Sequence, residues 1–231
     1  MYIPAPFRES DRDVLYAFIE SHPLGVLVTA MADGHAEAPY ATHVPLYLDR
    51  AAGVLHGHLA KANPHVDRLR AAGTSPGLVV FSGAEHYITP TWYATKRETG
   101  KVVPTWNYVA VHVQGAVTLH EDTAWLETHL SQLTDSHEAA QAHPWSMHDA
   151  PRDYLDAQMR GIVGVSVRVD TLEGKYKLSQ NRSDADIDGV VEGLTHLAQQ
   201  AEVAPHAAQL HVAHPHTAEM AALVTARRPR R

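Results

Sequence analysis

The chain has 231 residues, with 19 Lys+Arg against 26 Asp+Glu for a formal net charge of −7, and 45% hydrophobic against 19% charged residues. This composition belongs to a globular protein, one domain or one domain with an appendage, and it excludes a disordered chain. The negative balance argues against coating of nucleic acid through the overall field, and zero cysteines exclude disulfides, thiolate catalysis and metal sites that need sulfur.

The N-terminal MYIPAPFRESDRDVLYAF has no leader-like apolar run, and no stretch reaches bilayer-spanning length, so the expectation is a soluble, cytoplasmic protein. Val14, Leu15, Phe18 and Ile19 recur at helical spacing from Asp11 to His22, with Ser10 or Asp11 as cap and Pro23 as stop. LGVLVTAM (24–31), the turn-like ADGHA (32–36) and EAPYATHVPLYLD (37–49) predict a β-hairpin. In its second strand His43, Pro45 and Tyr47 face one way and Val44, Leu46 and Leu48 the other. Pro39 and Pro45 place that strand at an edge or give it a bulge, since proline donates no ladder hydrogen bond.

VLHGHLA (54–60) predicts a strand with His56 and His58 on one face and Leu55 and Leu59 on the other. Asn63-Pro64 reads as the start of a short helix that closes at Gly73. GLVVFSG (77–83) is an apolar strand, Trp106 to His120 a long strand interrupted at Gly115, and IVGVSVRVDTL (162–172) the last strand. Helices are predicted over Thr123–Glu138, with Leu126, Leu130 and Leu133 on one stripe, over Asp149–Arg160 and over Asp184–Gln200. No strand–helix alternation, GxGxxG or GxxxxGK[ST] loop appears, so the expected fold is mainly β with peripheral helices, a closed or split β-barrel. Residues 1–200 form the expected barrel domain; 201–231 form an Ala/His/Pro-rich extension, a loosely attached helix and tail ending in Arg227, Arg228, Arg230 and Arg231.

Three polar stretches could carry chemistry. In HGHLAKANPH (56–65) a strand end delivers Lys61 and Asn63, behind His58, to a helix N-terminus, where a cation and backbone N–H groups suit a phosphate; a solvated lysine beside an ordinary cap is the plain alternative. In YITPTWYATKRETGKVVPTWNY (87–108), Trp92, Tyr93, Trp106 and Tyr108 offer flat surfaces and Thr91, Lys96, Arg97, Lys101, Thr105 and Asn107 offer donors, with 94–102 expected as a loop; simple packing of the aromatics is the alternative. In LEGKYKLSQNR (172–182), Lys175, Lys177, Ser179, Gln180 and Arg182 supply varied donors on what reads as a polar connector. Together the stretches suggest an aromatic cofactor bearing a phosphate. HExxH, GxSxG and cation-loop spacings are absent, so no catalytic residue and no metal site is assigned. His206, His211, His214 and His216 cluster among the 18 histidines and could ligate a transition metal or an iron porphyrin.

MYIPAPFRE at the start, HPLGVLVT (22–29), GHLAKANPH (57–65), YITPTWYATK (87–96), KVVPTWNYVAVHVQG (101–115), PWSMHDAP (144–151) and EGKYKLSQNR (173–182) together resemble the PaiB family, from Met1 to about Leu197. The resemblance implies an FMN-binding negative transcriptional regulator with the split barrel of the pyridoxamine-phosphate-oxidase type, its flavin bound in a homodimer. By the same resemblance Lys61 and the backbone near Asn63 meet the phosphate, Trp92, Tyr93 and Trp106 line the flavin pocket, and Lys175, Ser179, Gln180 and Arg182 come from the other subunit or buttress the barrel. Two positions depart from the family pattern: His65 stands where an aromatic residue is expected after Asn-Pro, and His86 where a proline or small residue is expected. No helix-turn-helix is visible and the dense basic run is confined to the C-terminus, so direct DNA contact has little support in the residues. The alternatives are a flavin-dependent oxidoreductase, a haem-binding or haem-degrading split barrel that recruits the terminal histidines, and a cofactor sensor without catalysis.

Overall fold

The structure, a computed structural model, describes residues 1–30, 39–203 and 215–229. The turn expected at 32–36, the histidines at 206, 211 and 214 and the arginines at 230 and 231 lie outside the described residues. The elements run β1 (Arg8–Glu9), α1 (Arg12–Ser21), β2 (Leu24–Thr29), β3 (Tyr40–Pro45), β4 (Tyr47–Asp49), β5 (Val54–Ala60), α2 (Pro64–Ala72), β6 (Ser75–Ile88) and α3 (Ala94–Thr99), then β7 (Thr105–His120), α4 (Thr123–Glu138), α5 (Arg152–Met159), β8 (Ile162–Arg168), β9 (Thr171–Lys177), α6 (Asp184–Val203) and α7 (Thr217–Ala226). No helix among the described residues is long and apolar enough to cross a membrane.

The chain divides into two compact units: a barrel unit of Asp11–Phe81 and Val111–Glu173, and a terminal unit of Met1–Ser10, Ser82–Ala110 and Gly174–Arg231. In the barrel unit, β2 pairs antiparallel with β3 (Val26 opposite His43) and with the start of β6 (Val26 opposite Val80). On the other side, β5 pairs with β4 (Leu48 opposite Leu55) and β8 (Gly57 opposite Val165), and β8 pairs with the end of β7 (Leu119 opposite Val165). The strand order is therefore β3-β2-β6-β7-β8-β5-β4. Its two end strands, β3 and β4, are consecutive in sequence with Leu46 alone between them. One residue spans only about 3.5 Å, so the sheet has to curl until its ends meet.

Leu46 is buried, and its N–H donates to the carbonyl of Pro23 at 2.9 Å. A Cβ added at Gly57 on β5 would lie 2.9 Å from Leu46 Cδ2, and one at Gly25 on β2 3.1 Å from Leu46 Cδ1, so glycines on both sides make room for this side chain. Pro45 closes the β3 ladder at the sheet's end, as its missing N–H requires. Inside, Leu27, Val44, Leu48, Leu55, Val79, Val113, Val117, Val163, Val165 and Val167 are buried, and α1 adds Leu15, Phe18 and Ile19.

Three sequence expectations need correction. β7 runs through Gly115 without interruption; the absent Cβ matters because one there would fall 1.7 Å from the Arg168 carbonyl oxygen. The segment 162–172 is two strands, β8 and β9, and much of the expected polar connector is the strand β9, with Gly174, Lys175 and Tyr176 buried. Part of the expected loop 94–102 is α3, whose first turn is held by Asp186: its carboxylate accepts from Thr95 N–H at 2.9 Å and from Thr95 Oγ1 at 2.8 Å.

In the terminal unit, β1 pairs antiparallel with β9 (Arg8 opposite Lys175). α6 and α7 pack on each other and bury Val190, Leu194, Met220 and Val224. Arg227 pairs with the nearly buried Glu9, and Arg228 with Asp188 at 2.7 Å and Asp184 at 3.8 Å. The described end of the C-terminal extension is thus docked by an apolar stripe and ion pairs, where a loosely attached helix was expected.

Truncating the closure residue, Leu46→Ala, is expected to cost about 2–5 kcal/mol in urea unfolding. Leu24→Ala, at a 59% exposed position of the same unit, should change stability by no more than about 0.5 kcal/mol.

Candidate functional site

The expected cofactor residues fall into two sets, one in each unit. In the barrel unit the junction of β5 and α2 carries His58, Lys61 and Asn63. Asn63 caps α2, accepting the His65 N–H at 2.9 Å, while Val66 N–H donates to the Asn63 carbonyl at 2.9 Å. With Pro64 lacking an N–H, the His65 and Val66 backbone donors are engaged within the cap itself. Lys61 differs: its side chain is exposed and makes no hydrogen bond or ion pair among the described residues.

Behind the cap lies a closed polar chain. His65 is fully buried; its Nε2 meets Thr29 Oγ1 at 2.8 Å and its Nδ1 meets Thr42 Oγ1 at 2.9 Å, and Asn63 Nδ2 donates to the same Thr42 oxygen at 3.3 Å. Burial, aided by the nearby Arg68 cation, holds the imidazole below its ordinary range, and the neutral ring donates to one hydroxyl and accepts from the other. The residue that departs from the family pattern is therefore a satisfied core histidine, with Tyr40 packed at 5.0 Å.

His58 turns elsewhere. Its Nδ1 lies 3.1 Å from Nε2 of His129 on α4. The predicted leucine stripe of α4 gave no hint of this: His129, one turn before Leu133, is 2% exposed. Around the pair, Trp125 stacks on His120 (4.1 Å, 3°) and on His129 (5.2 Å, 26°), and His56 leans on Trp125 at 5.6 Å. His120 Nε2 meets Ser166 Oγ at 2.7 Å. Burial lowers the affinity of His56, His58 and His120 for a proton, and burial together with the other three imidazoles pushes His129 down to about 3. The available signal was the alternation His56-x-His58 facing a helix with aromatic and histidine residues at spacing of four, Trp125 and His129.

In the terminal unit most of the expected set is engaged in packing. Trp92 lies against α6: a Cβ at Gly193 would come within 2.4 Å of its indole, and one at Gly189 within 1.9 Å of its carbonyl oxygen. Tyr93 is fully buried, with the Arg182 guanidinium 4.5 Å from its ring centre, and burial raises its phenol. Lys175, 8% exposed, has its ammonium 5.1 Å from the Tyr108 ring centre and 5.6 Å from that of Tyr2. Asn107 and Ser179 are buried partners at 3.0 Å, with Ser179 in the left-handed region at φ 67°. Gln180 braces this turn, its Oε1 accepting the Leu178 N–H at 2.7 Å. Thr105 Oγ1 accepts from Lys177 Nζ at 2.6 Å, and Lys177 also donates to the Trp106 carbonyl; burial, then Lys175 and Arg182, hold Lys177 below the usual lysine range. What stays open is Trp106, 48% exposed and edge-on to Tyr87 at 6.0 Å, together with exposed Thr91 and Lys96, whose Nζ reaches Thr91 Oγ1 at 3.3 Å. No group of three or more potential metal ligands occurs among the described residues.

The neutral histidine cluster has a consequence for acid stability. Because the folded state holds His129 below its unfolded value, the unfolded chain takes up the proton first; stability is complete above the ordinary imidazole range and declines as pH falls through it toward about 3. The urea midpoint should drop between about pH 7 and about pH 5, and drop less steeply in His129→Phe.

Comparison with known proteins agrees with this architecture. The family described as "Putative FMN-binding domain" matches residues 1–171, a segment that ends before Lys175, Ser179, Gln180 and Arg182. An uncharacterized protein of Emericella nidulans is 33% identical over 233 residues, covering 87% of this chain and 93% of its own. Protease synthase and sporulation protein PAI 2 of Bacillus subtilis is 31% identical over 212 residues, covering 91% of this chain and 94% of its own. Among solved structures, a conserved hypothetical protein from Mycobacterium tuberculosis superposes with a TM-score of 0.53 at 14% identity, covering 79% of this chain and 94% of that one, a likeness of fold. The chain belongs to the FMN-binding domain family, as a split-barrel protein with peripheral helices related to the Bacillus subtilis sporulation protein PAI 2.

Proposed function

We propose that this protein binds FMN and acts as a flavin-bearing negative regulator of transcription of the PaiB type, a homodimer in the cytoplasm. The observation that carries the flavin reading is the family match over residues 1–171, which contains Lys61, an exposed ammonium that makes no hydrogen bond or ion pair among the described residues and feels only the field of Glu121. An ammonium in that state suits a phosphate monoester, which it meets without breaking a hydrogen bond to the protein. Bound FMN would supply one- and two-electron transfer; the chain's own residues bind it, orient it and limit water around it.

Each unit's residues are proposed separately. In the barrel unit Lys61 holds the phosphate, with Asn63 fixing the start of α2 and His58 placed by His129. In the terminal unit Trp106 offers the stacking surface, Thr91 and Lys96 the exposed polar groups. Trp92, Tyr93, Thr105, Asn107, Lys175, Ser179, Gln180 and Arg182 support these from behind through the packing and hydrogen bonds described above. Exposed Val103, Tyr87 and Trp106 in that unit favour a second copy as partner.

The regulatory part follows the resemblance to the PaiB family, and the Bacillus subtilis relative, named for protease synthase and sporulation, supports it. A flavin-dependent oxidoreductase is the second reading, and a specific observation favours it: Arg227 and Arg228, half of the basic run that would face DNA, are committed to Glu9, Asp184 and Asp188. The haem reading would draw on His206, His211 and His214, outside the described residues, and on His216, whose Nδ1 sits 3.3 Å from Glu219.

Protein purified without added cofactor, then incubated with FMN and desalted, should retain flavin absorbance. Lys61→Ala should weaken FMN binding by about tenfold or more with an unchanged melting temperature; equal affinity would remove Lys61 from the site. Sedimentation should give about twice 25.3 kDa at micromolar concentration. Sequence-dependent, salt-sensitive retention of promoter DNA supports the regulator, and turnover of reduced nicotinamide without DNA retention supports the enzyme.

A further inference from the structure

The histidine cluster of the barrel unit opens on a cavity of about 410 Å³, a size that takes a small organic molecule. It is lined by β4, β5 and α4 through Asp49, His56, Trp125, Thr128, His129 and Gln132. Two features of this lining call for a ligand with a particular charge.

The first is an orphaned polar atom. His129 is 2% exposed, its Nε2 is engaged with His58, and its Nδ1 is buried with no hydrogen-bond partner. A buried ring nitrogen without a partner is unfavourable, and His129 is one of the residues that line the cavity, where an entering ligand can supply the missing partner. The second is the charge balance. Asp49 is the single formally charged residue of the lining, and it has no ion-pair partner among the described residues. One carboxylate oxygen accepts the Ala52 N–H at 2.9 Å, which fixes the side chain. The adjacent cation, Arg50, is turned to Glu20 at 2.6 Å and Asp13 at 3.6 Å. Burial holds His56 and His129 below the usual imidazole range, and in His56 it outweighs the opposing pull of Asp49 itself. An anion would therefore face a carboxylate with nothing to offset it, and a neutral ligand would leave Asp49 unmatched.

We propose that this cavity binds a small organic cation, a protonated amine on an apolar or aromatic body, with Asp49 as its counter-ion, His129 Nδ1 as an acceptor and Trp125 as the apolar wall. In the His58–His129 pair either ring can donate; an ammonium N–H selects the tautomer in which His129 donates from Nε2 to His58 and accepts at Nδ1. The indole adds attraction for a cation that a saturated side chain would not. The site uses no residue proposed for flavin except His58, which acts only through His129, so it stands independently of the flavin reading.

The test is calorimetric titration of benzylammonium, benzyl alcohol and benzoate into the full-length protein at neutral pH. Benzylammonium should bind, benzyl alcohol about tenfold or more weaker, and benzoate not at all. Asp49→Asn keeps the acceptor for Ala52 N–H and removes the charge; it should weaken benzylammonium by about tenfold and leave benzyl alcohol unchanged. His129→Phe keeps a ring and removes the acceptor, and should weaken benzylammonium as well; if it does not fold, the Asp49→Asn result decides. Absence of benzylammonium binding, equal binding of the three probes, or equal affinity in wild type and Asp49→Asn would each overturn the proposal, whatever the outcome with FMN.

Discussion

One residue, Leu46, joins the two end strands of the barrel unit's sheet, and that covalent constraint organises the unit. A chain that leaves one edge of a sheet and enters the opposite edge after a single residue can do so only if the edges meet. Curling removes exposed ladder edges, which would otherwise offer unpaired N–H and C=O groups to other chains. It also accounts for the bare position at Gly57, where a Cβ would lie 2.9 Å from Leu46 Cδ2; at Gly25 a Cβ would meet Val79 first, at 2.7 Å, with Leu46 behind it at 3.1 Å.

Closure puts alternate residues of β5 on opposite sides, Leu55 and Leu59 into the core and His56 and His58 toward α4. Four imidazoles and an indole then pack against one another, largely withdrawn from solvent. The cheapest state of such a group is neutral, because each protonation costs desolvation and repels the next. Nitrogen atoms in neutral rings pair with each other and with hydroxyls, as His58 does with His129, His120 with Ser166, and His65 with Thr29 and Thr42. Histidine here works chiefly as a polar aromatic core residue, and His129 Nδ1 is where that role is incomplete.

The terminal unit uses its cations and aromatics on one another. Lys175 sits among tyrosine rings, Arg182 over Tyr93, Arg227 over Tyr176, and Lys177 ties down Thr105 and the Trp106 carbonyl. A basic, aromatic stretch of sequence therefore yields less open binding surface than its composition suggests. Exposure, not residue type, separates Lys61, Lys96 and Trp106 from the rest.

Local chemistry was legible in the sequence. Asp11 and Asn63 cap the helices they precede, the alternation in β3 to β5 divides core from surface as read, α4 begins and ends at the predicted residues, and the long motifs identify an FMN-binding split barrel. These depend on hydrogen bonds and periodicities within a few residues, which the order of amino acids states directly. Tertiary structure alone decided which strands are neighbours, that Asp186 starts a helix at Ala94, that Arg227 reaches back to Glu9, and that His58 and His129, 71 positions apart, share a proton. Each of these depends on chain segments brought together by burial, and a lone histidine or lysine in sequence carries no mark of the partner that burial will supply.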